Sequence, residues 1–319
     1  MKTQRGAALL IVLMILALMA ALAAEMTLSF QTQLQRSRRT SDTLQAKYAL
    51  LYAESEATSG VVKHDDERLA GMAELGDNTR VRWRTDDMQN CFNLNALENT
   101  PAAPLASMPY EISVFAALLD KLGVDKGRAE EIIQSVADDI DTDTSPRSKG
   151  AEDEYYQRDG IQHLTANQML FLPTEIRTLK GMTHTIYEKL APLICTAFSN
   201  DLSININSLT AAQAPLLAAI FLNDISTSDA RALLKKRPEK GWKTVDAFLY
   251  QAQQDYSAVK PRVDQLKKYL TTNSHYFLVT STAHEGELTS GMRTFFYYDD
   301  KKKTIGLYLR QLTDGEHEE

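Results

Sequence analysis

Glycine and proline are missing from one long stretch of this chain: neither occurs between Ala7 and Ser59. With no residue that breaks or swivels a backbone, nothing there interrupts a single long helix. Cysteine is scarce too, with two in 319 residues. That excludes a disulfide-dense scaffold and a cysteine-built zinc site. Cys91 and Cys195 either close one loop of roughly 100 residues, worth up to about 4.7 kcal/mol in the loop-entropy view, or lie as two buried thiols. The six histidines are scattered, and neither a Cys/His ligand spacing nor a nucleophile elbow is present. No nucleophile is paired with a base, so the sequence points away from an enzyme. Positive charge is in deficit. The formal net charge is −7, or −9 (−7 − 2) once Lys2 and Arg5 are removed. Such a chain is a poor wrapper of nucleic acid and a fair partner for hard cations.

What is present begins at the N-terminus. Met1 to Gly6 is a short leader with Lys2 and Arg5, followed by an unbroken apolar run from Ala7 to Ala24 and then Glu25. As a helix the run spans roughly 27 Å, close to the hydrocarbon thickness of a bilayer. A secretory signal carries its cleavage site after the apolar run. Here the processing point, between Gly6 and Ala7, precedes it. Cutting there leaves the anchor on the mature chain, whereas an ordinary signal anchor would remain uncut. Lys2 and Arg5 argue for a cytoplasmic N-terminus, although Arg36, Arg38 and Arg39 follow the span.

Beyond the span the helix continues, with Leu44, Tyr48, Leu51 and Ser55 on one stripe and Gly60 as its stop. Residues 61–87 read as loop and strand, with alternation over Arg80–Thr85. Residues 97–272 read as helical, with helices over 112–122, 126–139, 165–171, 208–221, 227–235, 244–252 and 261–270. Strands follow over Tyr276–Thr282, Met292–Tyr298 and Thr304–Arg310, the last two joined by a charged turn at 299–303. The helical block carries an internal repeat: Phe92-Asn-Leu-Asn-Ala-Leu97 is echoed by Ile204-Asn-Ile-Asn-Ser-Leu209. Asn93, Asn95, Asn205 and Asn207 are expected to cap the helices that follow. A helix-hairpin-helix module would hold a DNA phosphate on a Gly-rich hairpin. The corresponding stretch, Phe221 to Thr227, has no glycine and places Asp224 where a phosphate would sit.

The densest chemistry lies in Asp138-Asp-Ile-Asp-Thr-Asp143, followed by Gly150-Ala-Glu-Asp-Glu-Tyr-Tyr156. The acids close a helix whose C-terminus is already partly negative, a costly placement without a cation. Ca²⁺ takes six to eight oxygens and tolerates an irregular loop. An EF-hand is excluded: counting from Asp139, the sixth residue is Thr144 and the twelfth Gly150.

The leader resembles the class III signal of type IV pilins and type II secretion pseudopilins. That resemblance implies cleavage between Gly6 and Ala7 by prepilin peptidase and N-methylation of Ala7. Most such subunits carry Glu as the fifth mature residue, and Ile11 stands there instead, as in the minor pseudopilin K family. The Asn-rich repeats and the Asp-x-Asp and Gly-Ala-Glu-Asp runs are similar to that family as well. The resemblance implies one or two structural Ca²⁺ ions on Asp138, Asp141, Asp143, Glu152 and Asp153, with Asp139 standing where the family has an aromatic residue. It implies an α+β fold: a leader (1–6), a transmembrane segment (7–24) of a long helix (7–59), a pilin-like core with an antiparallel sheet (60–96 and 273–319), and an inserted all-helical domain with two SAM-like, helix-hairpin-helix-like repeats (97–272). The implied role is a subunit at the tip of the pseudopilus. It would be held in the inner membrane by one pass with its bulk in the periplasm, partnered by minor pseudopilins I and J and other pseudopilins. The rival reading is a membrane-anchored DNA-uptake protein. Nothing is assigned to the acidic tail after Thr313.

Overall fold

The computed structural model describes residues 4–102, 107–158, 160 and 163–315. The start of the leader and the end of the acidic tail lie outside the described residues. The fold is α+β, and contacts divide the chain into two units. Strands β7 (Tyr276–Glu285), β8 (Leu288–Asp299) and β9 (Thr304–Thr313) contribute residues to both.

The first unit is built on α1, Gln4–Lys63. Gly6 and Ala7 lie in its first turns, and the apolar residues from Leu9 to Leu22 are exposed along it, Ile11 by 55%. The outer half buries Ala46, Ala49, Leu50, Ala53 and Ala57. This differs from the expected stripe: Leu44 and Tyr48 face solvent, because small side chains let a helix lie close to its neighbours. Gly60 is not the stop either. The helix runs three residues further and ends at His64, which takes the left-handed conformation (φ 52°). Asp65 N–H then donates to Gly60 O (2.9 Å) and His64 N–H to Val61 O (3.3 Å), closing a Schellman motif. Gly60 is instead a site of close approach: a Cβ there would lie 2.9 Å from Arg68 Cβ.

A hairpin follows, β1 (Ala70–Leu75) antiparallel to β2 (Thr79–Asp87). β2 shows the expected alternation, with Val81 and Trp83 buried between exposed arginines. β1 was hidden in the sequence because Ala-Gly-Met-Ala-Glu-Leu lacks β-branched residues. It is organised by Trp83, whose indole lies across Gly71 where a Cβ would be 2.6 Å from the ring. Trp83 Nε1 donates to Arg68 O (2.9 Å), and the ring meets Tyr52 edge-on at 6.2 Å. The five-stranded sheet has the order β1-β2-β7-β8-β9.

The second unit holds the helical region, and its repeat is visible in hydrogen bonds. Each copy starts with a two-residue parallel bridge: β3 (Phe92–Asn93) with β4 (Ile194–Cys195), and β5 (Ile204–Asn205) with β6 (Leu270–Thr271). The first Asn of each pair accepts from the backbone N–H two residues on, Asn93 from Asn95 and Asn205 from Asn207. The second Asn does not cap. Asn95 Nδ2 donates to Leu170 O (3.0 Å) and Ala197 O (2.8 Å), and its Oδ1 accepts from Leu170 N–H (2.8 Å). Asn207 Nδ2 donates to Trp242 O (3.0 Å) and Thr272 O (3.2 Å), and its Oδ1 accepts from Trp242 N–H (2.7 Å). Each thus staples two distant segments to the start of its repeat. Asn95 is fully buried. Asn95→Ala strands three buried backbone groups and is expected to cost about 2–3 kcal/mol, read as a lower urea midpoint with unchanged slope. Cys91 and Cys195 are joined as a disulfide in this unit, packed against Met88 and Phe295.

Between the bridges lie α2 (Tyr110–Lys121), α3 (Lys126–Ile140), α4 (Asp153–Arg158), α5 (His184–Leu190), α6 (Ala214–Ile220), α7 (Thr227–Lys235), α8 (Val245–Asp255) and α9 (Val263–Leu266). Phe92, Phe115, Tyr156, Phe221 and Phe248 anchor their common core. α4 and α5, both short, were not anticipated. The helix expected over 165–171 does not form. Side chains capture its backbone donors: Thr165 N–H goes to Asp153, Ala166 N–H to Asp139 and Leu170 N–H to Asn95. The expected 208–221 and 261–270 helices shorten to α6 and α9 behind 3₁₀ turns, the second turn containing Pro261. Leu270–Thr271 is drawn into a bridge instead. In the hairpin after α6, Asp224 pairs with Arg262.

Candidate metal centre

α3 carries its apolar residues Ile132, Ile133, Val136 and Ile140 into the core, and the same register buries Asp138 and Asp139 at its last turn. A buried carboxylate needs partners. Asp138 finds Arg147: its Oδ1 accepts from Arg147 Nη1 (2.7 Å), and both its oxygens lie within 3.3 Å of the Arg147 backbone N–H. Burial raises its pKa, and the Arg147 hydrogen bonds and charge pull it back. Gly150 makes this packing possible, since a Cβ there would sit 1.7 Å from Asp138 Oδ2.

Asp139 has a different role from its neighbour. Its Oδ1 meets His163 Nε2 (3.0 Å) and Ala166 N–H (3.3 Å), and its carbonyl accepts from Asn167 N–H (2.9 Å). Burial raises the Asp139 pKa, and His163 opposes the rise. The Asp139–His163 pair therefore ties the 163–167 segment to the acidic loop. Asn167, with its amide nitrogen turned inward, donates to the carbonyls of Asp141 (3.3 Å) and Asp143 (3.2 Å).

Three of the five expected ligands converge. Carboxylate oxygens of Asp141, Asp143 and Glu152 lie within 4.8 Å of one another. Asp138 is turned to Arg147 instead. Asp153 heads α4 and accepts from Thr165 N–H and Oγ1 (both 2.8 Å), bonds that hold its pKa below the usual carboxylate range. Asp141 caps α3, with Oδ2 bonded to Arg147 Nη1 and Oδ1 buried without a hydrogen bond. Asp143 is exposed and shapes the loop by accepting from Ser145 N–H (2.8 Å). Glu152 is only 4% exposed, and neither carboxylate oxygen has a hydrogen-bond partner. Burial pushes its pKa up to about 7; the nearby Thr165 side chain opposes the rise, and the charges of Asp138, Asp141 and Asp153 add to it.

These donors suit a hard divalent cation. All are oxygens, and an unpartnered buried carboxylate lies with two others. The paired tyrosines hold the loop from below. Tyr156 is fully buried and its hydroxyl accepts from Lys180 N–H (3.3 Å), while Lys180 Nζ donates to Gly150 O (3.0 Å) over the Tyr155 ring. Sequence reasoning missed Arg147, His163 and Asn167. A lone arginine between two acidic runs was the only signal available.

Family models described as type II secretion system (T2SS), protein K, match residues 90–198 and 204–273, each segment containing one Asn-x-Asn repeat. The chain is 47% identical over 320 residues to the putative type II secretion system protein K of Escherichia coli, covering 97% of this chain and 98% of that protein. It is 33% identical to protein K of Klebsiella pneumoniae, over 97% and 96% of the two chains. Among solved structures it resembles a chain of the GspK-GspI-GspJ complex of enterotoxigenic Escherichia coli, with a TM-score of 0.72 and 31% identity, covering 87% of this chain and 99% of that one.

Proposed function

Because the chain belongs to the type II secretion system protein K family, and is therefore a structural pseudopilin subunit and not an enzyme, we propose that it caps the tip of the pseudopilus together with minor pseudopilins I and J. The observation that carries this reading is likeness along nearly the full length to K proteins, one of them solved with I and J. In this reading the Ala7–Ala24 segment of α1 holds the subunit in the inner membrane until it is drawn into the fibre, with residues beyond it in the periplasm. This long apolar helix, exposed along the span, suits both settings. Prepilin peptidase would cut between Gly6 and Ala7 and methylate Ala7. Ile11 fits a subunit with no neighbour above it, since a carboxylate in the bilayer is costly unless paired. The helical insert, 97–272, would widen the head and leave no room for a further subunit. One calcium ion or more, on Asp141, Asp143 and Glu152, would hold the insert's acidic loop. The assembly would support export of folded periplasmic proteins.

The test is co-expression of the full chain with I and J from the same system, followed by detergent extraction. All three are expected to purify together, with the mature chain starting at a methylated Ala7 by mass spectrometry. A first residue downstream of Ala24, a retained Met1, or purification without I and J would overturn the proposal.

A further inference from the structure

The acids of the metal centre outnumber what one divalent ion neutralises. Asp138, Asp141, Asp143 and Glu152 carry four negative charges when ionised, and one such ion supplies two positive ones. Arg147 supplies a third from within the chain. Its side chain is 8% exposed. One arm, Nη1, bonds both Asp138 Oδ1 and Asp141 Oδ2. The rest of the fork is spent on Thr100 O, through Nε (3.2 Å) and Nη2 (2.9 Å). A guanidinium tied down on both sides is a fixed charge, not a mobile surface group. Asp141 is the shared residue: one oxygen belongs to Arg147, while the other is buried, unpartnered, and grouped with Asp143 and Glu152.

We propose that Arg147 is a built-in cation standing in for a second metal ion, so that the centre takes one divalent ion, on Asp141, Asp143 and Glu152. The proposal rests on the calcium reading of that centre. Two consequences follow from the charges. Arg147 weakens the attraction for the ion, because it already occupies one side of Asp141. It also holds the α3 end and the loop around Asp138 without the ion, joining them to Thr100.

The test is calcium chloride titration of the full chain in detergent by calorimetry, with bound calcium counted by elemental analysis after gel filtration in trace calcium. The wild type is expected to hold one ion per chain. Arg147→Gln is expected to hold two, or to hold one about tenfold more tightly, because a unit positive charge facing a divalent ion has been removed. Arg147→Lys keeps the charge and is expected to stay at one ion with affinity within a few fold of wild type. Should Arg147→Gln fold only when purified in calcium, the ion count still distinguishes the outcomes. Two ions in the wild type, or unchanged or weaker binding in Arg147→Gln, overturn the role of Arg147 and leave the calcium reading intact. No calcium binding by the wild type overturns both.

Discussion

Replacing Gly150 with alanine is expected to lower the stability of the chain by about 4 kcal/mol, in the range for breaking a buried ion pair. The added Cβ would sit 1.7 Å from Asp138 Oδ2 and 2.7 Å from its Cγ. Asp138 cannot retreat, because it is fully buried and fixed by the Arg147 side chain and backbone. Gly150 itself is held through its carbonyl by Lys180 Nζ and through its N–H by Arg147 O. The alanine therefore displaces either Asp138 from its arginine or the loop that carries Glu152. Gly150 does not have a left-handed backbone, so the cost is steric and not conformational. Gly127→Ala is the matched control. Its Cβ would meet only Asp125 Oδ1, at 3.3 Å, inside the first turn of α3. That oxygen is the cap acceptor of Arg128 N–H and must shift slightly, while the helix favours alanine over glycine, so a change within about 1 kcal/mol is expected. Thermal melts of both variants check the pair. Equal losses, or none in Gly150→Ala, would contradict this account of the loop.

Excess chelator is expected to lower the melting temperature by roughly 10 °C. A ligand a thousandfold above its Kd stabilises by about 4 kcal/mol, and a domain of this size shifts by about 2–4 °C per kcal/mol. Glu152→Gln should abolish most of the calcium-dependent difference while leaving the calcium-free melt equal or higher, since its buried carboxylate has no partner of its own. The pH dependence carries a sign. With its pKa raised to about 7 by burial, Glu152 binds more protons in the folded chain than in the unfolded one between the ordinary glutamate range and pH 7. The metal-free protein therefore loses stability as pH rises through that window. Protons compete with the ion for the same oxygens, so the calcium effect should shrink as pH falls below about 7. A calcium increment that is flat from pH 5 to 8 would remove Glu152 from the ligand set.

The sequence carried a great deal of this where the signal was local. A run without glycine or proline became α1, the Arg80–Thr85 alternation lies within β2, and the turn at 299–303 joined β8 to β9 through backbone bonds to Asp299. Period and turn chemistry act over a few residues, so a linear reading sees them. It failed wherever a distant partner decided. The 165–171 segment has helical composition, yet Asp139, Asp153 and Asn95 compete for its N–H groups across 12 to 75 residues. The Asn-x-Asn repeats were visible as a pattern, but their second residues proved to be long-range staples and not caps.

The acidic loop divides along the same line. Its clustered carboxylates at a helix C-terminus fit either a solvated acidic loop or a hard-cation site, and the Gly-Ala-Glu-Asp resemblance to the K family is what made the cation the expectation. Which carboxylates converge was decided by the fold. Helical register buried Asp138 against Arg147 and Asp139 against His163, turned Asp153 to Thr165, and left Asp141, Asp143 and Glu152 to converge. Sequence spacing sets how far apart two charges can be along the chain. Only the packed core sets which of them lose water and must find a partner, and that requirement separates the acids that pair within the chain from the three that converge.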